Sequence, residues 1–95
     1  MDLSQLKLEI DKKIGELSDV MAEIQKLDLF IQEQEDPDAA TLLVNIILDK
    51  GKAFEQKTAE VKIDLEFYIG EQKKLGNPID FSYTKLLGQI NKEFN

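Results

Sequence analysis

The chain has 95 residues, of which 42% are hydrophobic and 33% charged, a balance that indicates one folded domain over residues 1–95 and excludes a disordered polypeptide. All 12 basic residues are lysine, and the net charge is −7. Because arginine supplies the bidentate contacts to phosphates and guanine, and because an acidic chain repels a polyanion, we expect no nucleic acid as a partner.

The sequence contains no stretch that approaches the roughly 18 apolar residues of a membrane span, and its first residues lack a basic leader region. We therefore expect no membrane partner. The expected location is the cytoplasm, with leaderless secretion as the alternative. Cysteine is absent, so redox chemistry gives no further indication of compartment.

The first predicted helix covers about residues 3–34. Apolar residues recur there every seven positions, with further apolar residues between them, which is the heptad pattern of a coiled coil. The seven-residue series is Leu3, Ile10, Leu17, Ile24 and Ile31.

The second predicted helix covers about residues 37–75. Asp36 is a good N-cap and Pro37 is favoured at the first helical position, while Gly76 and Pro78 are stop signals. A second seven-residue series connects these ends: Ala40, Ile47, Phe54, Val61, Tyr68 and Leu75. A break at Gly51 is the alternative, and it would allow a more compact bundle.

A third, short helix is predicted over about residues 80–94, with Tyr83, Leu87, Ile90 and Phe94 at helical spacing. The short connection between the first two helices predicts an antiparallel hairpin. The fold class is therefore all-α: a long hairpin with a third helix that completes a three-helix bundle at the open end.

The hairpin register makes further predictions. It places Glu16 and Glu23 opposite Lys57 and Lys50, and it places Phe30 near Leu43 and Leu6 near Phe67. At 1.5 Å per residue, the third helix reaches back along helix 2 to about Val61.

The usual catalytic side chains are missing, because the chain has neither histidine nor cysteine and its glycines are scattered singly. We therefore predict a non-enzymatic protein with no catalytic residue, cofactor, metal ion or small-molecule substrate. Asp36 and Asp38 are explained by helix capping, since no spaced oxygen ligands follow them. Tyr68 and Tyr83 lie on apolar faces and are predicted to be core residues.

Helix 1 carries an acidic stripe beside its hydrophobic seam, formed by Asp2, Glu9, Glu16 and Glu23. Residues 1–38 contain 11 acidic residues and 4 lysines, whereas residues 39–95 contain 8 of each. In coiled coils such flanking charges set partner choice and orientation. The alternative is an acidic surface that docks onto a basic protein.

The apolar residues around the turn exceed what a two-helix seam can bury. Residues 42–48 are apolar on nearly every side of the helix, and the third helix does not reach them. Large exposed apolar patches mark interaction sites. We therefore predict a protein interface formed by Leu29, Phe30, Leu42, Ile46 and Leu48, with either a second copy in a homodimer or another helical protein as the partner.

These features favour an interaction module: an adaptor, a secretion-type chaperone or an assembly subunit. The alternative is a small acidic inhibitor or antagonist, of the kind phages make, that binds its target through helix 1. In architecture the hairpin resembles secretion-associated classes such as needle-type subunits, their helical chaperones and the Trp-x-Gly secreted hairpins. The chain has no tryptophan, so it departs from the last of these.

Overall fold

The computed structural model describes residues 2–94, except the side chain of Phe94. It contains three helices, α1 (Leu3–Glu33), α2 (Pro37–Leu75) and α3 (Phe81–Phe94), with no strand among the described residues. The predicted fold class is confirmed: α1 and α2 form a long hairpin, and α3 packs on it. Met1 and Asn95 of the predicted domain, and the predicted packing of Phe94, lie outside the described residues.

The helix ends follow the capping residues. Asp36 accepts a hydrogen bond from the Asp38 N–H at 3.0 Å, with Pro37 at the first helical position, and Gly76 closes α2 at φ +71°. Asp80 was expected to begin helix 3, but its carboxylate instead accepts from the Ser82 N–H at 2.9 Å, so it caps α3 from outside.

Helix α2 runs unbroken through Gly51. The alternative prediction of a helix break there, with a more compact bundle, is therefore wrong. Interhelical ion pairs lie on either side of this glycine. Lys50 Nζ is 2.6 Å from Glu23 Oε2, and Lys57 pairs with Glu16, as the register predicted. Because the hairpin stays extended, the molecule is 58 Å long and its Cα radius of gyration is 17.0 Å, against about 12 Å for a compact domain of this length.

The hydrophobic core lies at the open end of the hairpin, where α3 adds a third layer. Its buried side chains come from all three helices: Leu6, Ile10, Leu17, Val61, Leu65, Tyr68, Ile69, Tyr83 and Ile90. Tyr68 and Tyr83 are thus core residues, as predicted, and their rings meet edge-on with centroids 5.6 Å apart. The buried Thr58 satisfies its hydroxyl on the Phe54 carbonyl oxygen at 2.7 Å.

Helix α3 extends along α2 past Val61, its predicted limit, toward the turn of the hairpin. Its Ile90 lines one groove with Glu55 and Thr58 of α2, and its Leu86 lines another with Met21 of α1. The limit was wrong because Tyr83, in the first turn of α3, already packs against Tyr68, about 10 Å before the end of α2.

Some positions predicted to face the seam are exposed, Phe67 and Leu75 among them. Phe67 was placed opposite Leu6 but is 54% exposed, since Tyr68, its neighbour rotated by about 100° around the helix, takes the place in the core. Leu75, the last member of the second heptad series, is also exposed because α1 ends before reaching it. Leu8 and Ile63 at the open end are uncovered too, because a single third helix covers only one side of the hairpin.

Candidate protein-interaction surface

The hairpin has two distinct sides. The side that carries α3 is called the front face. There, the Tyr83 hydroxyl donates a hydrogen bond to Asp11, and Leu86 lies next to Met21. The opposite side, called the rear face, carries the ion pairs of Glu16 and Glu23 with the lysines of α2. Each residue advances a helix by about 100°, so residues four or seven positions apart lie on the same side of it. This spacing identifies the residues that continue the front and rear faces toward the turn.

The half of the hairpin next to the turn, residues 19–50, contains no buried side chain, and the structure describes all of these residues. Seven of its large apolar side chains are instead 39–66% exposed. They are Met21, Leu29, Phe30, Leu42, Val44, Ile46 and Leu48. We call this segment the loop-end half. It is a two-helix layer without the third layer that closes the core at the open end.

All five residues of the predicted interface are exposed, but the hairpin does not bring them together as one patch. Phe30 and Ile46 continue the rear face, because they lie seven and four residues from Glu23 and Lys50. Leu48 lies seven residues from Glu55, which adjoins Ile90 of α3, so it belongs to the front face. The remaining two, Leu29 and Leu42, point outward from their own helices.

On the rear face, the next pair of facing residues toward the turn, after the two ion pairs, is apolar. The register that joins Glu16 to Lys57 and Glu23 to Lys50 next places Phe30 opposite Leu43. The rear face therefore changes from charged to apolar about one heptad before the turn.

On the front face, an apolar groove begins where α3 stops covering the seam. A depression of about 250 Å³ lies beside α3, and its lining includes Met21, Phe54 and Leu86. Nearer the turn, outside this depression, the front face of α2 exposes Val44 and Leu48, which are one helical turn apart. We call the surface formed by Met21, Val44, Leu48 and Phe54 the front groove.

Sequence reasoning missed Met21 and Val44 as parts of this surface. Met21 is one of the apolar residues between the members of the first seven-residue series, and the heptad pattern therefore predicts that it faces the seam. Val44 was included in the apolar run 42–48 but was not distinguished from its neighbours, because a segment that is apolar on every side shows no preferred direction. The four-residue spacing of Val44 and Leu48 was the available signal.

The predicted acidic stripe is largely engaged within the chain. Asp2 caps α1 by accepting from the Ser4 N–H at 3.1 Å. Glu16 and Glu23 pair with lysines of α2, and the hydrogen bond from Lys57 lowers the pKa of the Glu16 carboxyl. Glu9 lies near Lys13, whose pKa is raised chiefly by its hydrogen bond to Asp64 at 2.8 Å.

The negative charge concentrates around the turn instead. The loop-end half carries eight acidic residues and two lysines, whereas the other 63 residues carry eleven acidic residues and ten lysines. All eight carboxylates of the loop-end half are exposed: Asp19, Glu23, Asp28, Glu33, Glu35, Asp36, Asp38 and Asp49. The exposed apolar side chains thus lie in the same half of the hairpin as most of its excess negative charge.

Among the described residues, no cluster of acidic side chains is arranged to hold a metal ion, and no helix is both long and apolar enough to cross a membrane. No protein-family model matches the chain, and no curated protein or solved structure shows significant similarity to it.

Proposed function

We propose that the chain is a non-enzymatic, cytoplasmic protein-interaction module, of the adaptor, chaperone or assembly-subunit kind, that binds its partner through the loop-end half. The observation that carries this proposal is the absence of any buried side chain between residues 19 and 50, a segment that exposes seven large apolar side chains. Exposed apolar clusters of this kind mark interaction sites, since a partner that covers them removes apolar surface from water.

The alternative of an acidic antagonist that binds through the helix 1 stripe gains no support from the geometry. Two of the four carboxylates in the stripe are paired with lysines of the same chain, and a third caps α1. A partner would have to displace these contacts before it could use the carboxylates. We therefore place the binding surface at the loop-end half.

The proposal is tested by comparing two double variants that differ in position but not in chemistry. Leu42→Glu with Leu48→Glu puts charge on the loop-end half, at side chains that are 66% and 58% exposed. Ile63→Glu with Phe67→Glu is the control at the open end, at side chains that are 67% and 54% exposed.

The measurement is affinity capture of partners by the tagged full chain, together with its solution mass by light scattering over a concentration series. We expect the natural chain and the open-end control to retain the same protein or the same oligomeric mass, and the loop-end variant to lose it while its circular dichroism stays helical. If the loop-end variant keeps every association of the natural chain, the proposal is wrong.

A further inference from the structure

We infer that the front groove binds one amphipathic helix from a different protein, with an apolar stripe and a basic rim, in line with α3. This inference rests on the proposed function and specifies the partner. It follows from how α3 itself docks, from the length of seam left open, and from the net negative charge of the loop-end half.

Helix α3 shows what the front face accepts. At the open end, one helix of 14 residues packs on α2, reaches α1 through the hydrogen bond from Tyr83 to Asp11, and inserts Tyr83 and Ile90 into the core. The same two helices continue past α3 with the same heptad pattern. Their front face there is apolar at Met21, Val44 and Leu48, so the loop-end half presents a second docking position of the same kind.

The uncovered length fits a helix of similar size. From Gly51 to Pro37, α2 rises about 21 Å, which is also the length of a 14-residue helix. A partner helix of that length would cover the front groove from the end of α3 to the turn. Its apolar side chains would recur at three- and four-residue spacing, as those of α3 do.

The charge selects the partner. The loop-end half has a net excess of six carboxylates, and Lys50, one of its two lysines, is already paired with Glu23. A helix with lysine or arginine beside its apolar stripe would be attracted by this net negative charge. A second copy of this chain would bring the same negative charge against it, and such like-charge contacts disfavour association.

The probes are three 14-residue peptides labelled with a fluorophore. The basic peptide keeps the apolar pattern of α3, with Tyr, Leu, Leu and Ile at the positions of Tyr83, Leu86, Leu87 and Ile90, and carries lysine at its outward positions. The acidic peptide carries glutamate at those positions. The scrambled peptide has the composition of the basic one without the apolar stripe.

Binding to the full chain is measured by fluorescence anisotropy. We expect the basic peptide to bind at least about tenfold more tightly than either of the others, and its affinity to fall with added salt. The site is located with Val44→Glu plus Leu48→Glu, on the front face, against Leu42→Glu plus Ile46→Glu, which lie outside the front groove and add the same charge to the same helix. Only the first variant should lose binding.

Each other outcome overturns the inference in a distinguishable way. Equal binding of the basic and acidic peptides would refute the charge argument, and equal behaviour of the two variants would refute the front groove. If the natural chain excludes the peptide because it dimerises through Val44 and Leu48, the occupant is a second copy and the proposed function stands. If no peptide binds and the chain stays monomeric, the inference fails, while affinity capture still tests the proposed function separately.

Discussion

The hydroxyl of Tyr83 on α3 donates a hydrogen bond to the carboxylate of Asp11 on α1. This contact fastens the third helix to the front face, and Lys7 completes it by placing its ammonium group 5.4 Å from the centroid of the Tyr83 ring. Because Tyr83 is also a buried member of the core, this contact helps to hold α3 on the hairpin.

Replacing Tyr83 with phenylalanine should lower the free energy of unfolding by about 1 kcal/mol, because the ring still fills its site and only the hydrogen bond is lost. The half-exposed Asp11 regains water, which keeps the loss small. Urea denaturation followed by circular dichroism measures the effect. A loss as large as that expected for a tyrosine-to-alanine truncation, about 3–5 kcal/mol, would mean that the ring itself is displaced.

The same pair predicts a dependence on alkaline pH. Burial, with the hydrogen bond to Asp11, raises the pKa of Tyr83 to about 12. Since this value lies above the unfolded pKa of about 10, the neutral phenol stabilises the fold fully below pH 10, and this contribution disappears as the pH rises through 12. The stability difference between the natural chain and Tyr83→Phe should therefore shrink over that interval. A difference that stays constant up to pH 12 would contradict the shift.

The core at the open end predicts a strong contrast between two neighbouring positions of α2. Leu65 is fully buried, whereas Ile63 is 67% exposed. Leu65→Ala should cost about 2–5 kcal/mol because it leaves a cavity in the three-helix layer, while Ile63→Ala should change stability by no more than about 0.5 kcal/mol. Chemical denaturation of both variants checks this. Similar losses at the two sites would mean that Ile63 is covered in solution.

Gly51 inside α2 and Gly76 at its C-cap should respond in opposite directions to alanine. A Cβ at Gly51 meets no atom within 4 Å, so Gly51→Ala should raise stability by about 1 kcal/mol through helix propensity. Gly76 has φ +71°, so Gly76→Ala should lower stability by about 1–2 kcal/mol, the cost of the left-handed conformation. Thermal or urea unfolding compares the two. A destabilising Gly51→Ala would show that α2 is not a regular helix there.

The hairpin could be predicted from sequence because its signals are local and agree with one another. Asp36-Pro37 and Gly76 define the ends of α2, and the two heptad series determine the register, which the pairs of Lys50 and Lys57 with Glu23 and Glu16 bear out. Periodicity shows which residues face the seam. It does not show on which side of a helix pair a third helix docks.

The side chosen by α3 depends on contacts between residues far apart in sequence, such as Tyr83 with Asp11, and no local pattern predicts these. The predicted site was incomplete for a related reason. Residues 42–48 are apolar around the whole helix, so their sequence could not separate Leu48 on the front face from Ile46 on the rear face. The position of α3 supplies that distinction.

The uneven distribution of buried residues predicts an uneven stability along the hairpin. Amide hydrogens of the loop-end half should exchange through local opening, because no buried side chain has to be exposed when that half separates. Amides between Thr58 and Ile69, where five buried side chains of α2 lie, should exchange only through global unfolding. Hydrogen exchange followed by mass spectrometry measures both regions in the natural chain.

Adding the basic peptide should slow exchange in residues 19–50 and leave residues 58–69 unchanged. If both regions exchanged at the same rate without any peptide, and this rate matched global unfolding, the loop-end half would already be covered and its role as an open binding surface would be refuted.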